Sequence, residues 1–216
     1  MSGPPLLLGH RGGRVNTQVP ENTPASFDLA LAHGCDGFEF DVRLTSDGRS
    51  VVCHDPEVDS VMVCQAAADQ LLHLPLLEDV VGRYGHRAFL DIELKVRNLE
   101  SKVLTSFHEH RIEENYVVSS FLPEVVTELK TRSASIQVGI ICDKPAQLAY
   151  WREHNFEYLI PHYTLVNRAL IEEVHSEGSK LLTWTVNDAK AMSCLADWGV
   201  DGIISDDTNL LAQTFA

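Results

Sequence analysis

Apolar residues in this chain gather into eight short unbroken runs, separated by longer stretches of helix-like periodicity. The runs cover residues 6–9, 37–41, 88–93, 116–119, 137–141, 157–160, 181–186 and 202–204. Unbroken rather than alternating runs predict strands of a parallel sheet, covered on both faces. The intervening stretches predict helices over residues 23–33, 76–84, 99–110, 123–132, 145–154, 168–177, 189–198 and 207–214. Pro24 at the start of the first and Gly34 just past its end mark its limits, and Gly178 and Gly199 stop two others. Eight strands, each followed by a helix, is the count of a (β/α)₈ TIM barrel, an α/β fold. A doubly wound open sheet shares the alternation, because a strand count does not close a ring.

One stretch breaks the rhythm. Residues 42–45 and 49–53 flank Ser46-Asp47-Gly48, and Asp-Gly at the turn predicts a β-hairpin. Folding about Asp47 brings His54 back beside Phe40 or Asp41. Residues 56–75 carry no clear periodicity and read as a loop or small cap. One catalytic barrel domain over residues 1–216 is expected, with a short insertion at about 42–75.

Composition narrows the partners. A chain of 216 residues can bury a sizeable core without a disulfide or metal staple. Its 17 basic and 31 acidic residues give a net charge of −14. Such a charge argues against nucleic acid and anionic membrane surfaces, yet admits a small anionic substrate where a bound cation reverses the local field. Cys35, Cys53, Cys64, Cys142 and Cys194 form no CxxC pair, which argues against a disulfide framework or zinc knuckle. No run approaches the roughly 20 apolar residues of a membrane span, and residues 1–8 do not read as a secretory leader. A soluble cytoplasmic protein is expected; its oligomeric state stays open.

Four polar clusters close strand runs: His10-Arg11-Gly12, Glu39-Phe40-Asp41, His54-Asp55 and Glu93-Leu94-Lys95. In a (β/α)₈ barrel that end of the strands builds the active site. Alternate residues share a face, so Glu39 sides with Asp41 and Glu93 with Lys95. Three gathered carboxylates repel one another and resist desolvation, and a hard divalent cation relieves both problems. The oxygen-only set Glu39, Asp41 and Glu93 suits Mg²⁺ or Ca²⁺, with Mn²⁺ also admissible, over Zn²⁺. Beside it, Arg11 and Lys95 would neutralise a phosphate, or simply pair with the acids. His10 and His54 would move protons near neutral pH.

These clusters, together with Pro20-Glu21-Asn22-Thr23, Trp184-Thr185-Val186-Asn187 and Asp201-Gly202-Ile203-Ile204-Ser205-Asp206, run in order along nearly the whole chain. Jointly they resemble the glycerophosphodiester phosphodiesterases, of the small single-domain bacterial type. The resemblance implies metal-dependent hydrolysis of a glycerophosphodiester to an alcohol and sn-glycerol 3-phosphate on a TIM barrel. It implies a divalent cation on Glu39, Asp41 and Glu93, His10 and His54 as the acid–base pair, and Arg11 and Lys95 around the phosphate. Trp184 becomes a wall of the pocket rather than core packing.

Two alternatives share these residues. One is a lysophospholipase D-type phosphodiesterase, with Val58, Val61, Met62 and Val63 of the cap sheltering an acyl chain. The other is a non-catalytic barrel that binds glycerophosphodiesters. Around the site, Glu21 and Asn22 are expected to brace the first loop, Arg14 to be a candidate phosphate contact, and Asp91 to be a structural hydrogen-bond partner. Asp206 is expected to be the N-cap of the last helix.

Overall fold

The structure, a computed structural model, describes residues 3–154 and 156–216. In chain order, β1 (Leu6–Gly9) leads to α1 (Pro24–His33) and β2 (Gly37–Leu44). The insertion holds β3 (Ser50–Val52), β4 (Glu57–Val58) and β5 (Val61–Met62), and α2 (Leu77–Tyr84) follows. Then β6 (Phe89–Leu94), α3 (Glu100–His110), β7 (Tyr116–Ser120), α4 (Pro123–Arg132), β8 (Val138–Cys142) and α5 (Leu148–His154) alternate. The chain closes with β9 (Tyr158–Pro161), α6 (Arg168–Ser176), β10 (Lys180–Thr183), α7 (Ala189–Trp198), β11 (Gly202–Ser205) and α8 (Thr208–Thr214).

Eight of these strands run parallel and close a ring in the order β1-β2-β6-β7-β8-β9-β10-β11. Leu6 to Gly9 pair with Gly202 to Ser205 on one side, and Leu8 and Gly9 pair with Gly37 and Phe38 on the other. That second pairing excludes the open doubly wound sheet. The fold is a TIM barrel.

The strands read as unbroken apolar runs because both their faces are buried. Phe38, Phe40, Val42, Leu90, Ile92 and Leu94 point outward into the layer shared with the helices. Leu8, Phe89, Val117, Ile141, Tyr158, Ile160, Leu182 and Ile204 fill the barrel interior. Gly37 faces Phe89 across the β2–β6 ladder, where an added Cβ would stand 1.9 Å from the Phe89 carbonyl oxygen. Above this interior layer the inward positions turn polar, and there the site begins.

The hairpin forms with Val42 opposite Val52, Arg43 opposite Val51 and Leu44 opposite Ser50. The Cys53 amide then donates to the Asp41 carbonyl at 3.0 Å, which returns His54 to the level of Asp41. Val51, Cys53, Val63, Ala66 and Leu71 form a small core inside the insertion, with Val58 packed against it.

Some boundaries shift. The seventh barrel strand ends at Thr183, and Trp184 makes only a single bridge to His162. The helix expected from residue 145 opens with a 3₁₀ turn over Pro145–Gln147 before α5 proper. Asp206 is not an N-cap. Asp207 takes that role, its side chain accepting from the Leu210 amide at 2.9 Å, which turns Asp206 toward the barrel mouth.

Candidate active site

The polar side of the mouth is assembled from the first three barrel strands and the hairpin. After β1 the chain makes a tight turn at His10-Arg11-Gly12. Arg11 is in the left-handed region (φ 52°), and its amide donates to Glu39 Oε2 at 3.0 Å. Gly12 also has positive φ, and a Cβ there would meet Ser26 Oγ at 2.4 Å, so the turn requires glycine. Thr23 and Ser26 form a capping box on α1, and Ser26 Oγ donates to the Arg11 carbonyl at 3.0 Å. The helix start thereby fastens the turn. Glu21 accepts from Arg11 Nη1 at 2.7 Å, and Asn22 Nδ2 donates to Asp41 Oδ2 at 2.9 Å, so both brace this loop as expected.

Glu39 and Asp41 on β2 stand in register with Asp91 and Glu93 on β6, four buried acids on the inner face. One carboxylate oxygen from each of Glu39, Asp41 and Glu93 lies within 4.8 Å of the others. Two cations reach them. Lys95 Nζ is 2.6 Å from Glu93 Oε1 and 3.3 Å from Asp41 Oδ1, and Arg11 Nε is 3.2 Å from Asp41 Oδ2. The pairing is incomplete: Glu39 Oε1, Asp41 Oδ1 and Asp91 Oδ2 are buried without a hydrogen-bond partner.

The electrostatics follow. Burial, reinforced by Asp41, Glu93 and Asp91, pushes the Glu39 carboxyl well above the usual range. Burial lifts Glu93 to about 7 against the pull of Lys95, and lifts Asp91 to about 7 against its hydrogen bond from Ser119. Asp41 is also buried, but Lys95, Asn22 and Arg11 outweigh that and hold it below the ordinary value. Burial would lower Lys95, yet Glu93 and Asp41 raise it. Ser119 Oγ donates to Asp91 at 2.6 Å, the structural bond expected of that acid.

A histidine flanks the carboxylates on each side. His10 Nδ1 lies 2.7 Å from Asp206 Oδ1, and its Nε2 is 3.8 Å from Glu39 Oε2. His54 Nδ1 lies 2.7 Å from Asp55 Oδ1, and burial lowers its pKa despite that bond. Ionised carboxylates only accept, so in each ring Nδ1 carries a proton, and in the neutral imidazole the lone pair is left on Nε2.

His10, Arg11, Glu39, His54, Asp91, Glu93 and Lys95 line one side of a cavity of about 180 Å³. Phe121, Ile141, Ile160, Trp184 and Ile204 line the other. Trp184 is a wall: its indole N–H donates to the Ile160 carbonyl at 3.0 Å, and its ring meets Phe121 edge-on at 5.6 Å. No residue of the cap after His54 lines this cavity, and Val63 is buried in the insertion's own core. Arg14 is held at the rim by Glu21 at 2.5 Å and Asp206 at 3.4 Å. Phe121, Ile141, Ile160, Ile204 and Asp206 are additions to the sequence-derived set. Asp206 does carry the signal shared by the other clusters, a polar residue directly after an apolar strand.

The fold matches solved structures. The glycerophosphodiester phosphodiesterase from Thermotoga maritima superposes with a TM-score of 0.84 at 22% identity, over 99% of each chain. A phosphodiesterase from Oleispira antarctica, in complex with the product sn-glycerol-3-phosphate, gives 0.84 at 23% identity, covering 98% of this chain and 97% of that one. At the level of sequence, a glycerophosphodiester phosphodiesterase from Caldanaerobacter subterraneus subsp. tengcongensis is 31% identical, over 95% of this chain and 96% of its own. The profile of the glycerophosphoryl diester phosphodiesterase family matches residues 10–80 and 66–210. A phosphodiesterase barrel is thus the class that fold and sequence define. The chain belongs to the glycerophosphoryl diester phosphodiesterase family.

Proposed function

We propose that this protein hydrolyses glycerophosphodiesters to an alcohol and sn-glycerol 3-phosphate, with a divalent cation held by Glu39, Asp41 and Glu93. The carrying observation is the convergence of three buried carboxylates from two strands, with Glu39 Oε1 left unpartnered and Asp41 Oδ1 met only by the Lys95 ammonium at 3.3 Å. An oxygen-only donor set with unmet lone pairs fits a hard ion, Mg²⁺ or Ca²⁺, and Mn²⁺ is compatible. When bound, the cation supplies positive charge for the phosphate oxygens as negative charge develops on them.

The remaining work falls to the side chains. Arg11 and Lys95 sit on the same wall as the acids and offer N–H donors to the phosphodiester. The Nε2 lone pair of one histidine takes a proton from the attacking glycerol hydroxyl, and the other imidazole, protonated, returns one to the departing alkoxide; water then opens the resulting cyclic phosphate to glycerol 3-phosphate with the two proton roles reversed. Trp184 and its apolar neighbours accept the non-ionic part of the substrate. The cap gives the lysophospholipid alternative no support, since its valines do not reach the cavity. The paired histidines argue against a binding-only barrel, which has no use for proton transfer.

The test is release of glycerol 3-phosphate from glycerophosphocholine across Mg²⁺, Ca²⁺ and Mn²⁺, with an EDTA control and lysophosphatidylcholine as competitor substrate. Cation-dependent turnover that favours glycerophosphocholine is expected. Binding without turnover under every metal would establish the non-catalytic alternative.

A further inference from the structure

Asp206 directly follows β11, which lies beside β1 in the closed ring, and it stands at the mouth next to His10. Three residues, His10, Asn187 and Arg14, converge on it. His10 Nδ1 is at 2.7 Å, Asn187 Nδ2 donates at 2.7 Å, Arg14 Nη1 approaches at 3.4 Å, and the Asp206 amide donates to Asn187 Oδ1 at 2.9 Å. The Asp206 carbonyl also receives the Arg14 amide at 2.9 Å. Both carboxylate oxygens are thus engaged, one by the imidazole and one by Asn187. Nothing in this arrangement serves α8, whose cap is Asp207.

The other histidine is held differently. Its partner Asp55 is the adjacent residue, 72% exposed, whereas the side chain of Asp206 is 20% exposed and that of His10 13%. A solvent-facing partner one residue away restrains a ring weakly. A clamped, largely sheltered one restrains both its plane and its tautomer.

We propose that Asp206 is the positioning residue for His10, fixing the proton on Nδ1 and aiming the Nε2 lone pair into the cavity, with Asn187 and Arg14 holding Asp206 in place. This rests on the role given to His10 above. Carboxylates that orient metal-bound histidines cost about 10- to 100-fold in metal affinity or activity when removed, and the same scale is expected for a proton-transfer histidine.

The test pairs kinetics with the ring itself. Long-range ¹H–¹⁵N NMR reads the His10 tautomer in the cation-free protein, and steady-state hydrolysis of glycerophosphocholine gives kcat and KM. Asp206→Ala should populate the Nε2-protonated tautomer and lower kcat about 10- to 100-fold while KM moves little. Asp206→Asn keeps the side-chain volume, guards against misfolding, and should show the same tautomer shift with a smaller loss. Asp207→Ala removes the helix cap and should lower Tm without touching the tautomer or kcat. An Nδ1-protonated His10 in both Asp206 variants, or a kcat within about two-fold of wild type despite a tautomer shift, overturns the proposal. If the wild type turns over no glycerophosphodiester, the functional reading fails instead, and the NMR comparison still decides whether Asp206 sets the ring.

Discussion

Asp41 and Glu93 are register partners on neighbouring parallel strands, and Lys95 reaches both, at 3.3 and 2.6 Å. One ammonium and the Arg11 guanidinium therefore face a cluster of buried acids. The site holds more carboxyl groups than its own cations can neutralise, and its chemistry and its stability both follow from that.

Replacing Glu39, Asp41 or Glu93 by its amide, one at a time, removes a candidate ligand while keeping the shape. Turnover of glycerophosphocholine should fall by at least about 100-fold, since the ion is asked for several kcal/mol of transition-state stabilisation. Far-UV circular dichroism should be unchanged. In EDTA, Glu39→Gln should melt at higher temperature than wild type, because it removes a buried carboxyl crowded by Asp41, Glu93 and Asp91, with Oε1 unpartnered.

The cation-free protein should lose stability as pH rises. Glu93 and Asp91 titrate near 7 when folded, above the ordinary 4.5 and 3.8. The folded state therefore binds more protons than the unfolded chain between those values. That contribution is complete below the ordinary values and disappears by about pH 7. Asp206, held down to about 2, works oppositely, and its contribution is lost only in acid below its ordinary value. Melting in EDTA should show Tm declining from about pH 4.5 to about 7, and the slope should shrink in Glu93→Gln. A Tm that climbs across that window contradicts the charge assignment.

Lys95→Met leaves Glu93 and Asp41 without their ammonium. Breaking a buried pair from one side costs about 3–5 kcal/mol. Denaturant unfolding in EDTA should register a loss of that order, and added Ca²⁺ should recover part of it. Equal loss with and without Ca²⁺ would mean that the ion and Lys95 do not share the same acids.

Trp184→Ala removes a wall that touches substrate without taking part in proton transfer. KM for glycerophosphocholine should rise about tenfold, equivalent to roughly 1.4 kcal/mol of binding, with kcat nearly kept. A collapse of kcat at unchanged KM would place the indole in the reaction itself.

Much of this was legible before any coordinates. Parallel strands buried on both faces leave unbroken apolar runs, so all eight barrel strands could be located, and the polar pairs at their ends marked Glu39, Asp41, Glu93 and the two histidines. The same property hid the other half of the cavity. With both faces apolar, hydropathy does not distinguish inward Ile141, Ile160 and Ile204 from their outward neighbours. The seventh strand read too long because Val186 is buried, although it lies beyond the ladder that ends at Thr183. Asp206 and Asp207 both satisfy the rule for a helix N-cap. Only ring closure, which sets β11 beside β1, shows that the first faces His10 and the second caps the helix.

The central claim, that Glu39, Asp41 and Glu93 together hold one divalent ion, is tested most directly by calorimetric titration of Mg²⁺ and Ca²⁺ into EDTA-stripped protein. Wild type should bind one equivalent of at least one of these ions, and Glu39→Gln and Glu93→Gln should each abolish that isotherm. Undiminished binding in both variants, or none in wild type, would contradict it.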